Sequence, residues 1–418
     1  MRDILPPESA RWRRLVEHFS DAVTSAGFGQ IIPPLLEDIG VFSRLGESTD
    51  VVTKEMYDFT DKGGRHVALR PEQTASVCRS FVEHRPTVPF KAWYAGSNFR
   101  YEKPQRGRFR QFDQVGVEVL GSDDPHIDVE VITLAWDFFV SLGLTRVELV
   151  VNSLGDPEDR DRYTRAVETH LRAHLESLSE ESRTTLERNP LRVLDSKRAE
   201  DASVIDAAPS IVDFWSDSAR SHFETVCSGL EALGVPFALD HRLVRGLDYY
   251  RRTTFEFRGG TLESAQNALG GGGRYDGLVE DLGGPPTAGV GFALGVDRTL
   301  IACDDEGVFL APDTAPSVFV VDTVDGQYAM RITSALRRAG ISSDRAFDQR
   351  SMKAQMKAAD RSGARFALIV GGNEVESGLA LLRPLRSAGE QEGVPMDNIV
   401  QSLVGLLTAA ENTTIEEG

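Results

Sequence analysis

The chain has 418 residues, 41% of them hydrophobic, and 46 lysines and arginines against 64 aspartates and glutamates give a formal net charge of −18. That composition excludes a disordered, collagen-like or coiled-coil protein, and the length suffices for two or three domains with their own cores. No run of about 18 uncharged apolar residues occurs, so no membrane span is expected.

The N-terminal Met1-Arg2-Asp3-Ile4-Leu5-Pro6-Pro7 lacks the apolar run and cleavage site of a secretory signal. Cys78, Cys227 and Cys303 are odd in number and far apart, so neither a disulfide framework nor a cysteine-rich zinc site is expected. The sequence reads as cytoplasmic. Trp12, Leu15, Val16, Phe19 and Val23 recur at helical spacing between a Ser9 cap and Gly27. Gln30 to Ile32 reads as a short strand that Pro33-Pro34 stops, which suits a sheet edge or a subunit contact. Tyr57–Thr60 and His66–Leu69, across Asp61-Lys62-Gly63-Gly64, form a predicted β-hairpin, and Pro71 reads as a first helical residue.

Lys91 to Tyr101 and Phe109 to Leu120 read as strands joined by a basic loop. In the second, Val115, Val117 and Val119 face one way while Gln114, Gly116 and Glu118 face the other. The polar face meets either solvent or a pocket, and a mid-strand glycine often marks close approach of a ligand or backbone. Residues 155 to 235, rich in arginine and glutamate, read as an inserted helical segment. Strands resume at Thr253 to Phe257, Gly270 to Gly273 and Gly289 to Gly295, although the glycine run is also compatible with a turn. Residues 311–316 form a linker. Strands at Val318–Val321 and Phe366–Val370 then alternate with helices at Met330–Ala339, Met352–Arg361 and Ile399–Leu407, which predicts a small α/β domain; the tail at 411–418 reads as frayed.

Two segments oppose the acidic balance. Arg100 to Arg110 holds Arg100, Lys103, Arg106, Arg108 and Arg110 against Glu102, and Arg331 to Arg365 holds nine basic residues against Asp344, Asp348 and Asp360. Each reads as a solvated face or as a local footprint for a polyanion. Gly289-x-Gly291-x-x-x-Gly295 has the wrong spacing for a dinucleotide fingerprint, and no GKS or GKT phosphate loop exists. His170 and His174 lack the intervening glutamate and third ligand of a zinc site.

The strings Leu69-Arg70-Pro71-Glu72-x-Thr74, Phe99 to Phe112, Leu243 to Tyr250, Gly272-Gly273-Arg274-Tyr275-Asp276 and Gly291 to Arg298 resemble, in order, histidyl-tRNA synthetase, a class II aminoacyl-tRNA synthetase. Gly363 to Val370 resembles that family's C-terminal anticodon-binding domain. The resemblance implies an α+β fold: a class II catalytic domain at 1–310, with a mixed, mainly antiparallel sheet flanked by helices and the insert at about 155–235, followed after the linker by an α/β anticodon-binding domain at 317–410. It implies a homodimer whose interface includes Ile32-Pro33-Pro34. The implied substrates are L-histidine, ATP with Mg2+, and histidine tRNA, and no protein residue is assigned to a metal.

By resemblance, Arg100 holds the α-phosphate, Arg298 the far phosphates, and Arg245 sits over the α-phosphate and the substrate carboxylate; Glu102 joins the ATP site. Glu72, Gln73, Thr74 and Gln114 are assigned to the amino-acid end, with Glu118 and Tyr250 on the two imidazole nitrogens and Tyr249 and Gly271-Gly272-Gly273 shaping the wall. Lys103 and Gln105 are candidates for the tRNA acceptor stem. Gln73 stands where many relatives have glycine, and Ala380 to Leu385 departs from the Lys-Asp-Leu strand of the C-terminal domain. The alternative is the regulatory subunit of ATP phosphoribosyltransferase, which binds histidine without charging tRNA, and which generally lacks the anticodon-binding domain and a complete basic-loop string.

Overall fold

The computed structural model describes residues 1–43, 54–103, 105–194, 196–243, 247, 249–260 and 267–416. The chain divides into Met1–Pro312 and Asp313–Gly418.

In the first unit, Gly29–Gln30 (β1), Phe90–Phe99 (β5), Gln111–Leu120 (β6), Val147–Ser153 (β7), Ala238–Leu239 (β8), Arg251–Gly259 (β9), Ala268–Arg274 (β10) and Gly289–Gly295 (β11) form one sheet, in the order β1-β5-β6-β11-β10-β9-β7-β8. Every pairing is antiparallel except the two edges, β1 with β5 and β7 with β8. Leu36–Asp38 (β2), Tyr57–Thr60 (β3) and His66–Leu69 (β4) make a separate antiparallel sheet, in which the expected hairpin keeps its expected bounds.

The alternation in β6 sets the layering. Val115, Val117 and Val119 enter the main core with Phe292 and Leu294 of β11, against Leu15, Phe19 and Val23 of the Glu8–Ser25 helix, Phe138 and Phe139 of Pro125–Ser141, and Leu300 of Val296–Glu306. The opposite face is left for Gln114, Gly116 and Glu118.

Two helix starts differ from expectation. The first helix begins at Glu8 rather than after Ser9, because the Ser9 N–H already bonds the Leu5 carbonyl at 3.0 Å. Pro71 lies outside the next helix, Thr74–His84, which is capped by the Glu72 carboxylate accepting the N–H groups of Thr74 at 2.7 Å and Ala75 at 2.9 Å. The glycine run is strand rather than turn. Gly272 faces Phe292 of β11, and a Cβ there would collide with the Gly291 carbonyl oxygen.

Within 155–235, Tyr163, Val167, Leu171, Leu186, Leu191, Ile205 and Ile211 form a small core of their own. The Asp217–Ala232 helix instead sends Phe223, Val226 and Leu230 into the main core, so it belongs to the body of the unit rather than to an insert.

In the second unit, Val318–Asp322 (β12), Ser343–Arg345 (β13) and Phe366–Val370 (β14) are parallel, and Leu379–Pro384 (β15) and Glu392–Pro395 (β16) extend the sheet antiparallel, in the order β13-β12-β14-β15-β16. Val318 and Val320 meet the Gln327–Arg338 and Ile399–Glu416 helices, while Phe319 and Val321 meet Met352–Arg361 on the other face. The last helix continues to Glu416 through most of the tail expected to fray, since no proline or glycine lies between Leu406 and Glu416 to end it.

Candidate active site

A cavity of about 290 Å³ opens on the polar face of the large sheet. Its floor is β6, β10 and β11, and the Thr74–His84 helix and the 101–110 loop form its sides. Glu72, Gln73, Thr74, Gln114, Tyr249 and Tyr250 line one part of it. Arg100, Glu102 and Arg298 line the other.

Glu118 is fully buried one layer behind the wall. Its Oε1 accepts hydrogen bonds from the hydroxyls of Thr74 at 2.6 Å and Tyr94 at 3.1 Å, and its Oε2 from Tyr275 at 2.5 Å. All three donors line the cavity. Burial, with Glu72 nearby, pushes the Glu118 carboxyl up to about 8 against the pull of its hydroxyl partners. Two glycines make this arrangement possible. A Cβ at Gly116 would meet Tyr94 Oη at 2.5 Å, and one at Gly291, across the strand pair from Glu118, would fall on Glu118 Oε2. Gly291 itself lines the cavity, so the carboxylate faces it through the gap left by the missing side chain.

Glu72 is buried too, and burial raises its pKa against its two backbone N–H bonds. Gln114 Oε1 accepts from Asn98 Nδ2 at 2.7 Å. Gln73 Oε1 is buried with no hydrogen-bond partner among the described residues, an acceptor short of a donor in the wall. The Tyr249 and Tyr250 rings lie 4.6 Å apart, and Tyr249 meets Tyr275 edge-on at 5.9 Å.

At the other end, Arg100 donates through Nε to the Pro71 carbonyl at 2.9 Å, and its Nη atoms make no hydrogen bond among the described residues. Arg298 donates to the carbonyls of Gly107 at 3.1 Å and Ala268 at 2.7 Å. Burial and the neighbouring cations Arg108 and Arg100 lower its pKa, although Glu102 opposes them. Burial raises Glu102, but the Arg108 hydrogen bond and the charges of Arg100, Arg108 and Arg298 outweigh it and hold the carboxylate low. Clustered, partly desolvated cations of this kind favour an anionic guest.

Arg245 lies outside the described residues, as do Gly246 and Asp248 of its string. Lys103 and Gln105 are off the cavity, exposed on the loop, where Gln105 pairs with Arg108 across a turn at Gly107. Arg70 and Arg274, though inside diagnostic strings, are structural. Arg70 holds the carbonyls of Pro33 at 2.7 Å and Ser97 at 2.9 Å, and Arg274 is wholly buried against Asp128. Tyr94, Tyr275, Arg108, Asp113 and Asp297 also line the cavity and carry no role in the sequence reading. For Tyr275 a signal existed, its place beside the glycine run, whereas an isolated Tyr94 cannot be told from core.

The family model for histidyl-tRNA synthetase matches residues 1–299, and that for an anticodon binding domain matches 317–406. The chain belongs to the histidyl-tRNA synthetase family. It is 47% identical to the histidine–tRNA ligase of Rhodococcus erythropolis over 97% of this chain and 96% of that one. Its structure superposes on apo histidyl-tRNA synthetase from S. aureus with a TM-score of 0.81 and 35% identity, covering 96% of this chain and 97% of that one. A Bacillus halodurans protein described as an ATP phosphoribosyltransferase regulatory subunit/histidyl-tRNA synthetase shares the fold at TM-score 0.65 and 20% identity, covering 88% of this chain and 96% of that one. Membership in the histidyl-tRNA synthetase family makes the chain a histidine–tRNA ligase that uses ATP.

Proposed function

We propose that histidine and ATP meet in this cavity with their reacting ends between Gln114 and Arg100. The observation that carries the reading is the polarity of a single cavity, which has a hydroxyl-caged carboxylate at one end and guanidinium groups around Arg100 and Arg298 at the other. An ammonium group brings three donors and no acceptor, which suits the Glu72 carboxylate, the Thr74 hydroxyl, Gln114 and the unpartnered Gln73 oxygen. The neutral imidazole brings one donor and one acceptor. Glu118 has used three of about four lone-pair sites on hydroxyls, which leaves one on Oε2 for a ring N–H, and Tyr250 serves the other nitrogen.

A histidine carboxylate oxygen then attacks the α-phosphorus of ATP, the bond to the β-phosphate oxygen breaks, and pyrophosphate leaves. Arg100 stabilises charge on the α-phosphate and Arg298 on the leaving phosphates, while Arg245 bridges the substrate carboxylate and α-phosphate by family resemblance. A terminal ribose hydroxyl of histidine tRNA next attacks the acyl carbon, and AMP departs. Mg2+ bound with ATP would offset the negative charge of the phosphates. Glu102, kept ionised by its arginine neighbours, would be a residue able to hold it.

Lys103 and Gln105 on the exposed loop face the acceptor stem, and the basic residues between Arg331 and Arg365 face the anticodon. Such local positive charge on an acidic chain makes tRNA binding salt-sensitive. The chain acts in the cytoplasm as a homodimer through the Ile32-Pro33-Pro34 face, and the 81% exposure of Ile32, with Leu35, Leu36 and Phe59 also exposed, supports such a contact.

Histidine-dependent exchange of pyrophosphate into ATP, followed by charging of histidine tRNA, tests the reading. Arg245→His should abolish most exchange while histidine affinity changes less, and near-normal exchange would contradict its role.

A further inference from the structure

Arg2 lies at the edge of the ATP end of the cavity without lining it. Its Nη2 donates to Asp297 Oδ1 at 2.9 Å and to Glu8 Oε1 at 2.8 Å, and its guanidinium carbon stands 4.9 Å from the centre of the Phe109 ring. Of these three partners, Asp297 and Phe109 are cavity walls. Asp297 lies in the first turn of the helix that carries Arg298, and Phe109 lies near the end of the basic loop, which Arg298 also grips through the Gly107 carbonyl. Two turns further along the same helix, Arg11 of the N-terminal helix pairs with Asp304 and donates to the Phe309 carbonyl at 2.6 Å.

Charge gives the contact its consequence. Asp297 is buried, and Asp113, also in the wall, lies close enough for the two carboxylates to repel. Among the described residues, Arg2 is the cation hydrogen-bonded to Asp297. Without it, a buried carboxylate would lose its partner and add negative charge to a space that receives a triphosphate.

We propose that Arg2 is a positioning residue of the ATP site, neutralising Asp297 and clasping Phe109 so that Arg298 and the basic loop keep a fixed spacing. This rests on the assignment of ATP to the Arg100 and Arg298 end. Arg2→Gln in the full chain, assayed by histidine-dependent pyrophosphate exchange, should raise KM for ATP about fivefold, the equivalent of one lost half-buried ion pair near 1 kcal/mol. KM for histidine should stay within twofold. Arg2→Lys should recover part of the loss, and raising the salt should narrow the gap between Arg2→Gln and the unaltered chain.

Unchanged KM for ATP in Arg2→Gln would overturn the proposal. So would equal rises in both KM values with a matching fall in Tm, since that pattern marks general loosening. Arg298→Ala separates the two claims: if it raises KM for ATP while Arg2→Gln does not, only the role of Arg2 fails, and if neither does, the placement of ATP fails with it.

Discussion

Tyr275→Phe removes one oxygen atom from the cage around Glu118 and leaves the ring against Tyr249 and over Gly289, where a Cβ would already touch it. The lost hydroxyl sits 2.5 Å from a carboxylate oxygen in a wholly buried setting. A hydrogen bond of that kind to an ionised acceptor is worth about 2 kcal/mol. At 1.36 kcal/mol per pH unit, that raises the Glu118 carboxyl by about 1.5 units from its position near 8. At neutral pH the ionised fraction available to an imidazole N–H then falls about thirtyfold, and histidine affinity should fall with it. The sign on stability is opposite. Because burial raises Glu118 from 4.5 to about 8, its favourable contribution is complete below 4.5 and is lost as pH rises to about 8, and the substitution extends that loss to higher pH. Calorimetric titration of histidine between pH 6.5 and 9.5, alongside thermal melts, reads both effects. Equal affinity and an unshifted pH profile in Tyr275→Phe would refute the caged-carboxylate reasoning.

Gly291→Ala should weaken histidine binding at least tenfold, because its Cβ lands on Glu118 Oε2, and KM measurements with ATP saturating check this. Arg298→Lys should raise KM for ATP while leaving that for histidine near normal, since a single nitrogen cannot stand in both places where Nε and Nη1 hold the two carbonyls and also meet phosphate; exchange kinetics with each substrate varied decide it. Asp201 accepts from the Ser179 N–H at 2.7 Å and from the hydroxyls of Ser182 and Ser196, each at 2.6 Å. Burial opposes ionisation there, yet those bonds prevail and bring Asp201 down to about 2. Its stabilisation is therefore complete above 3.8 and lost as pH falls through about 2, and Asp201→Ala should cost about 1 to 3 kcal/mol in urea melts at pH 7 while flattening the acid limb.

The sequence was most legible where period alone decides. The alternation of Val115, Val117 and Val119 with Gln114, Gly116 and Glu118 placed core and cavity on opposite faces of β6. It was least legible where a residue's role depends on who stands across the sheet. Glu118 sits behind Thr74, Tyr94 and Tyr275 because Gly291 lies opposite, and the Gly291–Glu118 pairing is invisible in one dimension. The glycine run had the composition of a turn, and only the closeness of Gly291 and Phe292 explains it as strand. Arg70 looks like its neighbours in the motif string, yet backbone carbonyls occupy its donors, whereas two nitrogens of Arg100 have no hydrogen-bond partner among the described residues. The Glu72 cap displaced the expected helix start at Pro71, since a carboxylate one step before the Gln73 cap position can serve the first N–H groups as well.

The small core of Tyr163, Val167, Leu171, Leu186, Leu191 and Ile205 shares none of its fully buried residues with the larger one beneath the sheet, and Trp215 packs against both. Segments organised in this way open and close on their own schedule, so amide protons there should exchange ahead of those in β6 and β11. Length changes among related chains, and nicks by proteases, should accordingly gather between residues 155 and 216, while the catalytic floor survives them intact.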